Sequence, residues 1–283
     1  MGGYAMKRDI RIITLDLDGT LLTSRKELTQ RSYDALAAAA TKGIEIVPTT
    51  GRFYGGMPQV IRDLPFVHYA ITINGAQVAD IRTGEVIYRA EIPWQQAVEI
   101  MTFLDTLPVA YDCFMDNGAF MTAALQEKIA DYTTDPHYQD MVRKLRRGVP
   151  ELKAFITARQ QDVQKSQFFT MDGALRAQML RELPQRFPHI IVSSALAHNV
   201  EINNERAHKG AAILALAQHL GCGAEQVMAF GDGLNDLTMI QTAGMGVVMD
   251  NGVDELKACA DYITLDCDHD GVADAIEKFC LST

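Results

Sequence analysis

Strand-length apolar runs alternate with helical patterns along this chain, and that alternation limits the fold more than any other feature. The runs are Ile10–Leu15, Ile44–Val47, Ala70–Ile73, Val227–Phe230, Met245–Met249 and Tyr262–Leu265. Helical stretches separate several of them. "LTQRSYDALAAAATKG" offers Thr29 as an N-cap and Gly43 as a stop; "KGAAILALAQHLG" stops at Gly221, "NDLTMIQTAG" at Gly244, and "DGVADAIEKFCL" reads as a last helix. Such alternation predicts an α/β fold, with a mostly parallel sheet covered on both faces. The ligand site of such a sheet lies beyond the carboxyl ends of its strands. Asp16, Thr50, Asn74 and Asp232 fall there.

The middle of the chain breaks this rhythm. From Tyr88 to about Pro188 it holds the single Trp and six of the nine prolines. Its segments mix helix and strand signals: "WQQAVEIMTFLDTL" and "ALRAQMLRELPQRF" read as helices, and "VAYDCFMDNGAFMT" as a hairpin with an Asn-Gly turn at 117–118. This stretch is too long for a loop. With 283 residues to place, we expect residues 1–84 and 194–283 to form one core and 85–193 an inserted α+β domain. The basic residues Arg143, Lys144, Arg146 and Arg147 either attract an anion or form a solvated helix face.

A net charge of −10 argues against nucleic-acid and anionic-membrane partners, while leaving room for a small anionic substrate held by local cations. The five cysteines are scattered without a C-x-x-C pair. That argues against a disulfide framework and a zinc site, and favours reduced thiols in a cytoplasmic protein. No stretch approaches the ~18 apolar residues of a membrane helix. No secretory signal is visible, and Met6 is an alternative start. A monomer or small homo-oligomer is expected.

Chemistry gathers at the strand ends. In "IITLDLDGTLL", Asp16 and Asp18 stand two apart; if strand geometry persists they face one side. Two close carboxylates repel unless a cation separates them or one is protonated. They are therefore either a site for a hard divalent ion such as Mg²⁺, or a capping Asp beside a turn Asp. In "EIVPTTGR", Thr50 and Gly51 form either a phosphoryl-binding turn or a plain strand-to-helix turn, and Arg52 either binds an anion or braces the loop. Lys209 opens a helix, where the helix dipole disfavours a cation. It either meets an anionic ligand or is an ordinary surface lysine; His208 beside it reads as bland. In "VMAFGDGLNDLTMI", Asp232 can complete a metal site with Asp16, Asn235 can donate and accept, and Asp236 can hold metal-bound water or cap the helix.

Taken together, these four segments resemble the haloacid-dehalogenase superfamily of phosphohydrolases. "DLDGT" is similar to its first motif, Thr50 to its second, Lys209 to its third and "GDGLND" to its fourth. "TTGR", "INGA", "GVVMDNG" and "HDGVADAIEKF" resemble the Cof-type branch, subfamily IIB. Phe53, where many relatives carry Pro, and Pro48 depart from the pattern. The resemblance implies a Rossmann-like parallel-sheet core with an inserted α/β cap of the C2 type. It implies Asp16 as nucleophile and Asp18 as general acid and base. Mg²⁺ would be held by Asp16, Asp232 and the Asp18 carbonyl, with Asp236 behind them. The Leu17 and Gly51 amides, Thr50, Lys209 and Asn235 would hold the phosphoryl oxygens. The implied substrates are small phosphorylated metabolites, sugar phosphates first, with pyridoxal phosphate and flavin mononucleotide open. Phosphotransfer to a sugar hydroxyl and non-catalytic phosphometabolite binding are the alternatives.

Overall fold

The computed structural model describes residues 9–194 and 197–282; the alternative start at Met6 lies outside them. The chain divides into two compact units. The first comprises the residues up to Arg52, Met57–Tyr88 and the residues from His208 on; the second comprises Phe53–Gly56 and Arg89–Ala207.

The first unit is built on five parallel strands. Ile12–Leu15 lies between Glu45–Pro48 and Val227–Gly231; Met245–Val248 and Tyr262–Ile263 continue beyond the latter. Every residue of the Ile12 strand is buried, which explains its unbroken apolar run. Strand order reverses beside the Ile12 strand, because the chain first steps to the Glu45 side and later returns on the Val227 side. A crevice opens at such a switch point. The helix Gln30–Thr41 starts as expected, with Thr29 Oγ1 accepting from Ser32 N at 3.1 Å. Ile12, Val47, Ile71, Ala212, Leu216 and Ala229 share one apolar cluster, which fixes the sheet against the helix Lys209–His219.

The second unit carries a six-stranded sheet, mostly antiparallel. Its apolar face brings Cys113, Met115, Phe168, Val200 and Ile202 onto the helices Trp94–Leu104, Leu152–Arg159 and Gly173–Arg186. The alternate residues bury charge instead. Arg146 Nε donates to Asp112 Oδ2 at 2.9 Å, and Gln167 Nε2 donates to the same oxygen at 2.9 Å. Lys165 Nζ donates to Glu201 Oε1 at 2.9 Å. The Arg146 and Lys165 cations lie 5.0 Å and 4.7 Å from the centre of the Phe114 ring. Arg146 is thus a buried ion-pair partner, neither an exposed helix-face residue nor a free anion attractor.

Two features of this unit differ from the sequence reading. The hairpin turn is centred on Asp116 and Asn117, at φ 50° and 53°, because Gly118 already pairs with Met115 in the sheet. Both residue types tolerate this left-handed backbone. The return to the first unit also falls later than residue 194. Asn199–Asn204 is a strand between Lys165–Phe169 and Ile190–Ser193, so it belongs to the second sheet. Phe53 leaves the first unit and packs on Phe114, ring centres 5.8 Å apart.

All five cysteines are free thiols. Among the described residues no helix is long and apolar enough to cross a membrane.

Candidate active site

The carboxyl ends of three neighbouring strands build the site. Leu15 pairs with Phe230 and Pro48, so Asp16, Thr49–Thr50 and Asp232 leave the sheet at one edge. Asp16 N donates to Phe230 O at 3.0 Å, continuing the ladder one step past the strand. Asp16 is then buried, at 6% exposure. Gly19 turns the chain at φ +88° and must be glycine for a second reason. A Cβ there would stand 2.4 Å from Asp232 Oδ2. Thr20 Oγ1 donates to Asp232 Oδ1 at 2.6 Å and ties the two acidic loops together.

Lys209 is fully buried and bridges two acids. Its Nζ donates to Asp16 Oδ1 and to Asp236 Oδ1, both at 2.6 Å. These bonds explain a cation at a helix start, where the dipole opposes it. Asp236 uses its other oxygen on the Asp232 and Gly233 amides, at 3.0 Å each, so it braces the Gly-Asp-Gly turn. His208 is the N-cap of the same helix, its Nδ1 accepting from Ala211 N at 3.1 Å.

The two acids of "DLDGT" do not share a cation. Strand pairing ends at Leu15, so the two-residue period no longer aligns them. While Asp16 meets Lys209, Asp18 is gripped by Arg52, Nε to Oδ2 at 2.8 Å and Nη2 to Oδ1 at 2.9 Å. Lys26 Nζ reaches Asp18 Oδ1 at 2.9 Å. Thr50 is buried, and its Oγ1 accepts from Arg52 N at 3.2 Å, leaving the hydroxyl proton to donate elsewhere. Gly51 lies against Asn74: a Cβ at residue 51 would come within 2.8 Å of Asn74 Oδ1. Among the described residues the Leu17 and Gly51 amides are not consumed by any hydrogen bond. Asn235 is exposed on the short turn Leu234–Asp236.

Electrostatics separates the acids further. Burial drives the Asp16 carboxyl up to about 7; the charge and hydrogen bond of Lys209 oppose this, and Asp236 and Asp232 add to it. Burial also raises Asp232, with the Thr20 hydrogen bond pulling the other way. Burial would raise Asp18 too, but hydrogen bonds and charge from Arg52 and Lys26 outweigh it, and its carboxyl ends below the ordinary range. Lys209 moves up, because Asp16 and Asp236 overcome a desolvation that would lower it.

Carboxylate oxygens of Asp16, Asp232 and Asp236 all lie within 4.8 Å of one another. Three acids face one lysine there, and all the donors are hard oxygens. This donor set fits a small divalent cation such as Mg²⁺.

Two contributors, Lys26 and Asn251, escaped the sequence reading, whereas the Thr20 hydroxyl stands out in "DLDGT" itself. Lys26 sits in a tight loop at φ 64°, with nothing nearby in the sequence to mark it. Thr20 and Asn251 act as braces. Asn251 Nδ2 donates to Gly19 O at 2.8 Å, and its Oδ1 accepts from Cys267 N at 2.9 Å. A side-chain amide beside a turn glycine was the available signal for Asn251.

The family model of haloacid dehalogenase-like hydrolases matches residues 13–276. The chain belongs to this family. Similar proteins include phosphatase YwpJ of Bacillus subtilis (strain 168), 29% identical over 289 residues, spanning 93% of this chain and 98% of that protein. The 5-amino-6-(5-phospho-D-ribitylamino)uracil phosphatase YcsE of the same organism is 30% identical over 273 residues, spanning 96% and 97%. The solved structure of a haloacid dehalogenase-like hydrolase from Bacteroides thetaiotaomicron superposes with a TM-score of 0.81 at 28% identity, covering 95% of this chain and 99% of that one. The haloacid dehalogenase-like chain described here is a phosphoric monoester hydrolase.

Proposed function

We propose that the protein hydrolyses small phosphate monoesters, sugar or polyol phosphates first, through a phosphoryl group carried on Asp16. The observation that carries this reading is the buried meeting of Asp16, Asp232 and Asp236 with Lys209 at the switch point of the sheet. Asp16 Oδ attacks phosphorus while the bond to the ester oxygen breaks, and Asp18 gives that oxygen its proton. Asp18 then takes a proton from water; the water oxygen attacks phosphorus, and the bond to Asp16 breaks to release phosphate. Thr50, the Leu17 and Gly51 amides, Lys209 and Asn235 hold the transferring oxygens. Asp16, Asp232 and the Asp18 carbonyl would hold Mg²⁺, with Asp236 behind them. When bound, the ion supplies positive charge that offsets repulsion between the nucleophile and an anionic ester.

The ribityl phosphate in the name of one relative supports a polyol-type leaving group. Free thiols and the acidic composition support a cytoplasmic protein acting on metabolites, without nucleic-acid or membrane partners. The test is phosphate release from a panel of phosphomonoesters, with EDTA and then with Mg²⁺ restored. Activity should vanish with EDTA and return with the metal. Metal-independent hydrolysis, or a shifted rather than released phosphate, rejects the reading.

A further inference from the structure

Asp18 has both carboxylate oxygens engaged by cations. Arg52 takes one through Nε and the other through Nη2, at 2.8 Å and 2.9 Å, and Lys26 takes Oδ1 again at 2.9 Å. A two-point guanidinium grip fixes the plane of a carboxylate as well as its place. Held between two cations in this way, Asp18 rests as an ionised carboxylate, with no proton to give a leaving group. Arg52 is also one residue beyond Gly51, and its amide is bonded to the Thr50 hydroxyl, so its side chain springs from the loop that the reading above assigns to phosphate. Lys26 comes from elsewhere. Its loop is closed on itself by Thr23 N to Glu27 O at 3.0 Å and Lys26 N to Thr23 O at 2.8 Å, and it remains half exposed.

We propose that Arg52 is the positioning residue for Asp18 and couples it to substrate. In the resting protein Arg52 and Lys26 hold the Asp18 carboxylate. An arriving phosphate monoester competes for the Arg52 guanidinium, and the exchange of partners frees the Asp18 carboxylate to take a proton from solvent and turn toward the ester oxygen while Lys26 still holds its place. The proton carrier is thereby set loose only when a phosphate is bound. This inference rests on Asp18 acting as the acid in the reading above.

Leaving-group dependence tests it. An alkyl phosphate such as glycerol phosphate expels an alkoxide that needs a proton, whereas p-nitrophenyl phosphate expels a stable phenolate that does not. Single-turnover release of the alcohol or phenol, with enzyme in excess, isolates this first step. Arg52→Gln is expected to slow the alkyl ester at least about tenfold more than the aryl ester, as loss of general-acid positioning requires. KM in the steady state should rise for both esters. Arg52→Lys, which keeps charge but not the two-point grip, should restore KM more than the alkyl rate. Lys26→Gln should shift the alkyl-to-aryl ratio without moving KM. Equal loss on both esters in Arg52→Gln makes Arg52 an anchor only and overturns the proposal, as does no change in either. Asp18→Asn separates the two levels. If it discriminates against the alkyl ester and Arg52→Gln does not, the coupling alone falls. If Asp18→Asn fails to discriminate, the acid assignment falls and takes the coupling with it.

Discussion

The core unit and the inserted unit both bury charge, and they balance it in different ways. On the inserted sheet, Arg146 faces Asp112 and Lys165 faces Glu201, buried within the sheet, one cation to each carboxylate. At the end of the core sheet, Lys209 is the one cation among the described residues that pairs with Asp16 and Asp236, with Asp232 close by. Matched pairs in a sheet are balanced in charge. A surplus of carboxylates at strand ends is held at a cost in desolvation and repulsion, and becomes tolerable when a further cation arrives. The first arrangement therefore reads as architecture and the second as a place for chemistry.

The largest expected effect probes the surplus. Asp16→Asn should lower turnover by roughly 10⁴-fold or more, as expected for a lost nucleophile, without loss of thermal stability, because one repelling buried carboxylate is gone. Retained turnover breaks the chemical half of the comparison. Next comes the matched pair. Arg146→Met leaves Asp112 buried without its cation and should destabilise the inserted unit by about 3–5 kcal/mol, whereas Arg146→Met together with Asp112→Leu should recover most of that loss. Urea unfolding followed at both units measures this, and a single-variant cost below about 1 kcal/mol removes the pair from the architecture. The smallest effect is in pH. With its carboxyl near 7, folded metal-free Asp16 keeps a proton that the unfolded chain releases near 3.8. Its contribution to stability is therefore present below that lower value and fades as pH rises toward about 7. Mg²⁺ must displace the same proton, so its affinity should rise up to about tenfold per pH unit below neutrality and then level off. Calorimetric titration in buffers of different ionisation heat would show the released proton; an affinity flat across this window contradicts the crowding drawn here.

Much of the core was legible because its signals are local. Buried parallel strands must be apolar throughout, and Thr29 caps its helix within three residues. The acids were legible because charge at the end of such a strand has few bland explanations. What stayed hidden depends on distant partners. Nothing within the sequence of "DLDGT" says that Asp18 will take Arg52 and Lys26 while Asp16 takes Lys209. In the inserted unit, "NVEINN" resembles a polar loop because one face of its strand meets Lys165 rather than oil. The alternation of Val200 and Ile202 was the overlooked sign. The Asn-Gly pair at 117–118 drew the turn one residue too late, since Gly118 serves as the first residue of a strand.

The short excursion of Phe53–Gly56 has a practical consequence for anyone wishing to exchange specificity modules between such enzymes. The chain passes between its units at four junctions, after Arg52, Gly56, Tyr88 and Ala207. A graft cut only at the two ends of the long insertion would leave the host's Phe53 against a foreign sheet that lacks Phe114. The smallest exchangeable cassette is therefore discontinuous. Two of its seams lie within two residues of side chains to which the proposed mechanism gives a role, Arg52 at one and Lys209 at the other, so chimeras of this architecture should be designed with Phe53–Gly56 travelling alongside the insertion.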